Sequence, residues 1–525
     1  MEASSSPAFD ARARGDVLAD LDRESCYRVL QARDARFDGR IFVGVKTTGI
    51  YCRPICPART PKIANVEFFG TAAAAQEAGF RPCLRCRPEV APDLAAWKGS
   101  SSTVLRALRL IDHGPLEDAS IDTLADRLGI GARQLRRLFA QHIGASPKTI
   151  VQTRRVHLAK QLIQETTMPV TEVAYASGFG SIRRFNETFK EMFGRPPTEL
   201  RRPRAATTPG GGTRELTLRL AYAVPHAWSE MLAWLAARAI ADVERIAGET
   251  YSRSFSVDGH TGLISLTPGR RGELILRAYG ARVDALPVII NRVRRMCDLA
   301  ADPAAIDSHL AMDPLLAPLI AARPGLRIAG AWTGFELAVR AFLEGRETPE
   351  DARRTLAQLT VARGRPLDDD LRTLVPGVTH VFPDSSGLRD ADLTPHGVSD
   401  VDAAAVQSLA RAIDAEPGIL QQGRSLDASL RALESLPHTD ARLAHVIAMR
   451  ELHEPDAFPA SDPLLLQVIA SLLHRPISAA QLFALAERWR PWRAYAAAHL
   501  WAHQHAISRR ERTARTAIGA VTQVA

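Results

Sequence analysis

A multidomain α+β fold is predicted by three features of this 525-residue sequence. The first is length: at roughly 150 residues per domain, the chain holds three or four domains. The second is a change of period. Apolar residues recur at helical spacing between residues 103 and 203, alternate as in a half-buried strand just after 213, and return to Ala/Leu-rich helical runs from Trp332 to Ala506. The third is the joint running from Arg201 to Thr213, which includes Pro203 and Pro209-Gly210-Gly211-Gly212. Its proline, glycine and charge disfavour packed structure, so the main boundary is placed there.

The composition, 46% hydrophobic and 24% charged, excludes a disordered or fibrous chain. No stretch approaches the roughly 18 uncharged apolar residues that cross a bilayer. The start, Met1-Glu2-Ala3-Ser4-Ser5-Ser6-Pro7, lacks the basic and apolar regions of a secretory signal, so a cytoplasmic location with no membrane partner is expected. The net charge is +9, and it is unevenly placed. Residues 1–210 carry 32 Lys and Arg against 22 Asp and Glu, whereas residues 211–525 carry 35 against 36. An excess of this kind is either a solvated basic surface or an electrostatic footprint for nucleic acid.

Taken in order, residues 1–15 read as a loose polar tail and residues 16–97 as a small α/β domain. Four of the six cysteines fall in the latter, at Cys52, Cys56, Cys83 and Cys86. Two close pairs separated by 26 residues, in a chain without an export signal, read as a metal site before they read as disulfides. Zinc takes four thiolates tetrahedrally at about 2.3 Å. A structural staple and a reactive thiolate centre both satisfy that spacing. Cys26 and Cys297 stand outside the pattern and are expected to be buried small side chains.

Lys98-Gly99-Ser100-Ser101-Ser102-Thr103 is a second joint, and an internal repeat lies between the two joints, over 103–203. Ala125 and Gly129 recur as Ala174 and Gly178; Gly144 and Pro147 recur as Gly194 and Pro197. Each copy predicts a short amphipathic helix before the first glycine (Ile121, Leu124, Ala125, Leu128; then Val170, Val173, Ala174, Ser177). A second helix follows, with Leu135, Leu138 and Phe139 in one copy and Phe185, Phe189 and Phe193 in the other. After the 204–213 linker, residues 214–300 read as a mixed α+β domain with an antiparallel sheet. Its elements are a strand at Leu216–Tyr222, a helix from Trp228 to Ile240, and a hairpin of Gly262–Leu266 with Glu273–Tyr279 through Pro268-Gly269. Residues 301–508 read as an all-α domain.

The cysteines sit in Thr47-Thr48-Gly49-Ile50-Tyr51-Cys52-Arg53-Pro54 and Gly79-Phe80-Arg81-Pro82-Cys83-Leu84-Arg85-Cys86. Over about residues 20–90 these segments closely resemble the N-terminal zinc domain of the Ada alkylation-damage sensors. The resemblance implies one Zn2+ on the four cysteines, with Cys52 as acceptor of the methyl group of a DNA methylphosphotriester. The chemistry is consistent: zinc keeps the sulfur as thiolate, the nucleophilic form, at neutral pH. Four thiolates on a divalent ion carry a net charge of about −2, and methylation reduces it to about −1, weakening repulsion of the DNA backbone. Arg53, Arg59 and Arg81 are the expected backbone contacts, with a solvated arginine as the plain alternative for each.

The repeat resembles the AraC-type double helix-turn-helix, most closely in Val173-Ala174-Tyr175-Ala176-Ser177-Gly178-Phe179 and Phe193-Gly194-Arg195-Pro196-Pro197. In such units the second helix enters the major groove. That nominates Arg133, Gln134, Arg136 and Arg137 in the first unit, and Ser181, Arg183, Arg184 and Asn186 in the second. Arg suits guanine and Asn or Gln suits adenine, while roughly half such contacts go to phosphate.

Five segments of the C-terminal half resemble the AlkA-like 3-methyladenine DNA glycosylases of the helix-hairpin-helix class over about 214–505. They are Trp234-Leu235-Ala236-Ala237-Arg238-Ala239, Ala322-Arg323-Pro324-Gly325-Leu326-Arg327, Phe335-Glu336, Pro459-Ala460-Ser461-Asp462 and Ala486-Glu487-Arg488-Trp489-Arg490-Pro491-Trp492-Arg493-Ala494-Tyr495-Ala496. The resemblance implies that Asp462 is the catalytic carboxylate; from the residues alone, an aspartate after serine also reads as a helix cap. Three features depart from the family. Leu436-Pro437-His438-Thr439-Asp440-Ala441 lacks both hairpin glycines, Arg442 and Val446 replace an aromatic pair, and no glutamine-rich wedge occurs near Leu343-Glu344-Gly345-Arg346-Glu347. Two readings therefore stand. In one, an alkylation-responsive activator is fused to a glycosylase that excises bases such as 3-methyladenine. In the other, the glycosylase-like half is inactive and serves DNA binding or assembly. A third reading keeps the zinc purely structural. The implied partners are double-stranded DNA and RNA polymerase, at the bacterial nucleoid.

Overall fold

The computed structural model describes residues 22–88, 91, 102–113, 121–166, 168–201, 215–396, 398–421 and 425–522. The expected N-terminal tail and most of both joints lie outside the described residues. Among the described residues no helix is long and apolar enough to cross a membrane.

The cysteine-bearing module begins with α1 (Arg23–Ala32), capped by the Asp22 carboxylate on the Ser25 amide. Strands β1 (Phe42–Val45), β2 (Ile50–Cys52), β3 (Val66–Phe69) and β4 (Arg81–Pro82) form one sheet in the order β3-β1-β2-β4. β1 is antiparallel to β2 and β3, whereas β2 and β4 run parallel. α2 (Ala72–Glu77) supplies the crossover that a parallel pair requires. Cys26, Val29 and Leu30 of α1 pack on Ile41, Val43, Val66 and Phe68, a core too small to hold the module by apolar burial alone. Cys26 is buried there, as expected.

The repeat forms six helices: α3 (Ser102–His113), α4 (Ile121–Leu128), α5 (Ala132–Ile143), α6 (Pro147–Glu165), α7 (Val170–Ala176) and α8 (Ile182–Phe193). Its two copies match in exposure as well as sequence. Gly131–Ala140 and Ser181–Lys190 run through the same succession of exposed, half-buried and buried positions. Gly144 and Gly194 end α5 and α8 in the left-handed conformation, at φ 73° and 69°, which is why glycine recurs there. Pro147 then opens α6 behind its Ser146 cap, and Pro197 opens a 3-10 turn.

Next come β5 (Glu215–Ala221), α9 (Trp228–Arg238), β6 (Glu244–Ala247), β7 (Thr250–Val257), β8 (His260–Pro268), β9 (Glu273–Tyr279) and α10 (Leu286–Met296). The all-α region contains α11 (Pro303–Leu310), α12 (Ala317–Ala322), α13 (Gly334–Glu344), α14 (Pro349–Arg363), α15 (Asp369–Leu374), α16 (Ser385–Leu388), α17 (Asp400–Ala415), α18 (Leu426–Glu434), α19 (Ala441–Arg450), α20 (Pro463–Leu473), α21 (Ala479–Ala486) and α22 (Arg493–Thr522). The chain divides into two compact units. One holds residues up to Ala223 with Gly269–Asn291 and Leu299–Ala301; the other holds Val224–Pro268, Arg292–Asp298 and Asp302 onward. In the first, β5 pairs antiparallel with β9, from Glu215 opposite Tyr279 to Ala221 opposite Glu273. In the second, β6, β7 and β8 form an antiparallel meander.

Two strands, β6 and β7, go beyond the sequence-based expectation. β7 is buried on nearly every residue, including Ser252, Arg253 and Ser254, so its polar residues conceal the alternation that marks a strand. Arg253 is tolerated there because its guanidinium makes a two-pronged pair with Glu336, at 2.7 and 3.1 Å. Arg340 bonds to Glu336 and Glu244 at 2.8 and 3.0 Å, and the Tyr251 hydroxyl donates to Glu244 at 2.6 Å. Two buried cations thus face two buried anions. The helix expected to reach Ile240 stops at Arg238, because Ala239 turns extended.

Burial lowers the pKa of three histidines of the second unit: His226 to about 3, His445 to about 4 and His499 to about 3. Each is neutral when folded and near 6.5 when unfolded, so its contribution is full above 6.5 and is lost as pH falls toward 4. Asp298, raised by burial to about 6, acts in the opposite direction between 3.8 and 6. His499→Leu is therefore expected to flatten the loss of stability between pH 7 and pH 5 by about 1–2 kcal/mol. Urea unfolding followed by tryptophan fluorescence checks this, since six of the seven tryptophans lie in that unit.

Candidate functional site

The parallel β2–β4 pair assembles the cysteine cluster. Cys52 ends β2 and Cys83 follows β4, with the Cys83 amide donating to the Tyr51 carbonyl at 3.0 Å. A turn closed by the Cys56 amide on the Arg53 carbonyl returns the second sulfur of the first pair. The result is four Sγ atoms within 4.8 Å of one another. A tetrahedral ion with zinc–sulfur bonds of about 2.3 Å needs sulfurs about 3.8 Å apart, so these residues fit one Zn2+. The four thiols titrate as a set: hydrogen bonding from Cys52 pulls Cys56 down to about 7, while Cys52 is pushed up, first by its bond to Cys56.

The four sulfurs are not equivalent. Cys56, Cys83 and Cys86 are buried; Cys52 is half-exposed. The Arg53 amide donates to Cys86 Sγ and the Arg85 amide to Cys83 Sγ, both at 3.4 Å, and the Ala58 amide donates to Cys56. Among the described residues no main-chain amide donates to Cys52 Sγ.

The expected DNA contacts of this module separate. Arg59 is exposed. Arg81 is also exposed, but its Nη1 lies 2.7 Å from where a Cβ on Gly194 would stand, at the C-terminal end of α8. Arg53 departs from expectation. Its guanidinium is largely buried, paired with Asp38 and donating to the Cys86 carbonyl at 3.2 Å, so it is occupied by protein. Arg85, overlooked in the sequence, is exposed between two ligands. Tyr51 was overlooked as well. Fully buried beside Cys52, its hydroxyl lies 3.1 Å from His157 Nε2 on α6 and accepts from Gln76 at 2.8 Å. Gln76 also accepts from Thr153 of α6.

In the repeat, Arg133, Gln134, Arg136 and Arg137 all lie exposed along α5, as do Arg183, Arg184 and Asn186 along α8. Ser181 is used differently: its hydroxyl caps α8 by accepting the Arg184 amide at 3.2 Å. Arg183 makes an exposed pair with Glu187 at 2.9 Å.

In the second unit, α18 and α19 pack around the Ser435–Asp440 turn. His438 takes a left-handed φ of 59° where glycine would be easiest, and its ring meets Phe342 edge-on. The Asp440 carboxylate caps α19 on the Leu443 amide at 2.7 Å. Asp462 is likewise a cap, of α20: Oδ1 accepts the Leu465 amide and the Trp501 indole N–H, both at 3.1 Å. Among the described residues Oδ2 accepts no hydrogen bond. Trp501 also lines an open pocket with Trp234, Arg238, Arg450 and His505. The Trp234 and Trp501 rings are 5.7 Å apart and the Arg238 guanidinium stacks 3.5 Å above Trp234. Trp489 and Arg493 of the C-terminal motif are structural, bonding to Asp313 and Asp456.

This is a protein class in which a metal module, a duplicated helix-turn-helix and a glycosylase-like half share one chain. Three family models match in that order: the metal binding domain of Ada over 25–89, a helix-turn-helix domain over 124–203 and the AlkA N-terminal domain over 217–333. The chain belongs to the family of the probable bifunctional transcriptional activator/DNA repair enzyme AlkA of Mycobacterium tuberculosis, 39% identical over 91% of this chain and 96% of that protein. It is also similar to DNA-3-methyladenine glycosylase 2 of Escherichia coli (30% identical, 53% of this chain and 94% of that protein). A third relative is the bifunctional transcriptional activator/DNA repair enzyme AdaA of Bacillus subtilis (30%, 37% and 89%).

Two outcomes are expected from this geometry. Stripping zinc with a chelator removes the main tie of the 22–88 module, so its thiols become reactive to a disulfide reagent while tryptophan fluorescence of the second unit is retained. Tyr51→Phe removes a buried hydroxyl from His157 and Gln76 and is expected to cost about 1–3 kcal/mol, read as a lower thermal midpoint of the first unit.

Proposed function

We propose that the chain is a DNA alkylation-damage response protein: Cys52 takes a methyl group from a DNA methylphosphotriester, the modified protein activates transcription, and the C-terminal half excises alkylated bases. The observation that carries the first step is the difference among the sulfurs. Amide hydrogen bonds draw charge from Cys56, Cys83 and Cys86, whereas among the described residues Cys52 receives none. Bound zinc supplies a thiolate at neutral pH. Cys52 Sγ forms a bond to the methyl carbon as the carbon–oxygen bond breaks, and its electron pair leaves on the phosphodiester oxygen. The product thioether is not regenerated, so each chain reacts once.

Arg59, Arg81 and Arg85 face the triester's flanking phosphates. Arg133, Gln134, Arg136 and Arg137, with Arg183, Arg184 and Asn186, enter two successive major grooves. RNA polymerase is the partner of the activated state, and the site of action is the cytoplasmic nucleoid.

For excision, Asp462 is held through Oδ1, leaving Oδ2 to face the sugar of a flipped nucleotide. There it stabilises the oxocarbenium-like charge that develops as the glycosidic bond breaks. The cavity lined by Trp234 and Trp501 receives the base. A second reading, in which this half excises no base and serves DNA binding or assembly, is favoured by His438 and Asp440 in the hairpin turn, because an anionic cap there weakens the hold on a phosphate that excision requires.

Mass spectrometry after exposure to methylphosphotriester DNA is expected to find one added methyl, on Cys52, and none in Cys52→Ser; an unmodified wild type refutes the sensor. Wild-type protein is expected to release 3-methyladenine from methylated DNA, and Asp462→Asn to lower the rate by about 100-fold or more. Release by neither protein refutes excision and favours the second reading.

A further inference from the structure

The side chain that sequence reasoning assigned to DNA points to a different role. Arg53 directly follows Cys52. Its Nε donates to Asp38 Oδ1 at 2.8 Å and its Nη2 to Asp38 Oδ2; Nη1 donates to the Cys86 carbonyl at 3.2 Å, and its amide to Cys86 Sγ at 3.4 Å. Asp38 is itself buried, at 7% exposed, just after the 3-10 turn Ala35–Phe37. A guanidinium that a buried carboxylate holds in one orientation therefore joins the two ligand pairs, a second tie beside the one that bound zinc would supply.

We propose that Asp38 is a positioning residue for methyl transfer, acting through Arg53 to hold the Cys52 loop against Cys86. The inference rests on Cys52 as acceptor. The forked pair fixes both the angle and the charge of Arg53. With Asp38 in place, the guanidinium is neutralised and spans to the Cys86 carbonyl, so Cys52 Sγ keeps its electron density and its line of attack. Without the carboxylate, a buried cation is left beside four thiolates. It turns toward a sulfur, which withdraws charge from the nucleophile, or toward a DNA phosphate, which tightens binding. Both movements slow the transfer step and neither weakens DNA binding. That signature differs from simple loss of fold, which raises the half-saturating DNA concentration as well.

The test uses the full-length chain with zinc, and with cobalt(II) in its place, as wild type, Asp38→Asn and Arg53→Lys. Lysine keeps the charge but cannot make the fork. Both variants are expected to retain one zinc per chain and the full thiolate-to-cobalt charge-transfer intensity, showing four sulfur ligands, with a shifted cobalt d–d band reporting altered angles. Single-turnover methyl transfer at saturating DNA is expected to fall about tenfold or more, with no rise in half-saturating concentration, as misplacement of a nucleophile does. Wild-type saturation rates in both variants overturn the proposal, as does loss of zinc from both. Should wild type itself transfer no methyl, the sensor reading fails, and the d–d band decides the clamp alone: an unshifted band in both variants refutes it.

Discussion

Four sulfur atoms within 4.8 Å of one another form a constraint that apolar packing cannot satisfy. Thiols brought that close oppose one another's ionisation, and only a cation at their centre turns the opposition into attraction. Much of the first module's architecture follows from this. Parallel pairing of β2 and β4 places two chain segments side by side, and each contributes a cysteine pair at the same end. Gly44 in β1 lets the Phe69 and Phe80 rings approach to where a Cβ would meet them at 2.8–2.9 Å, closing the sheet against α2. The small apolar core then needs to do less.

The repeat is governed by a different economy, that of helical period. Phe139, Phe185, Phe189, Leu135 and their neighbours are fully buried, while the polar positions between them are exposed in the same order in both copies. A face so regular is set by core spacing and leaves its outward side chains free to vary. That separation lets one scaffold present Arg133, Gln134, Arg136 and Arg137 in one unit and Arg183, Arg184 and Asn186 in the other. Ser181, at the first exposed position of the second copy, closes the helix end by accepting the Arg184 amide, a cap that Gly131 in the first copy has no side chain to make.

The second unit hides its determinants in buried polar groups. Arg253, Arg340, Glu244 and Glu336 balance within one cluster, and replacing any single member would leave a charge uncompensated in the core. Asp440 and Asp462 both end loops as helix caps. For Asp462 the cap reading and the catalytic reading are compatible, because the amide and the Trp501 indole share one oxygen and leave the other unclaimed.

The sequence by itself determined the features that depend on local spacing. The four cysteines, the glycines that end α5 and α8, the alternating strand β5 and the apolar stripes of the repeat are all read from residue type and period. Tertiary structure decided what depends on partners distant in the chain. β7 was illegible because Arg253 needs Glu336, 83 residues away, before it can be buried. Arg53 appeared free for DNA because its partner Asp38 lies 15 residues back in an unremarkable loop. Tyr51 gained its role only when α6 brought His157 beside it, 106 residues on. Charge pairing and burial are relations between side chains, and a linear pattern records the residues but not the distance between them.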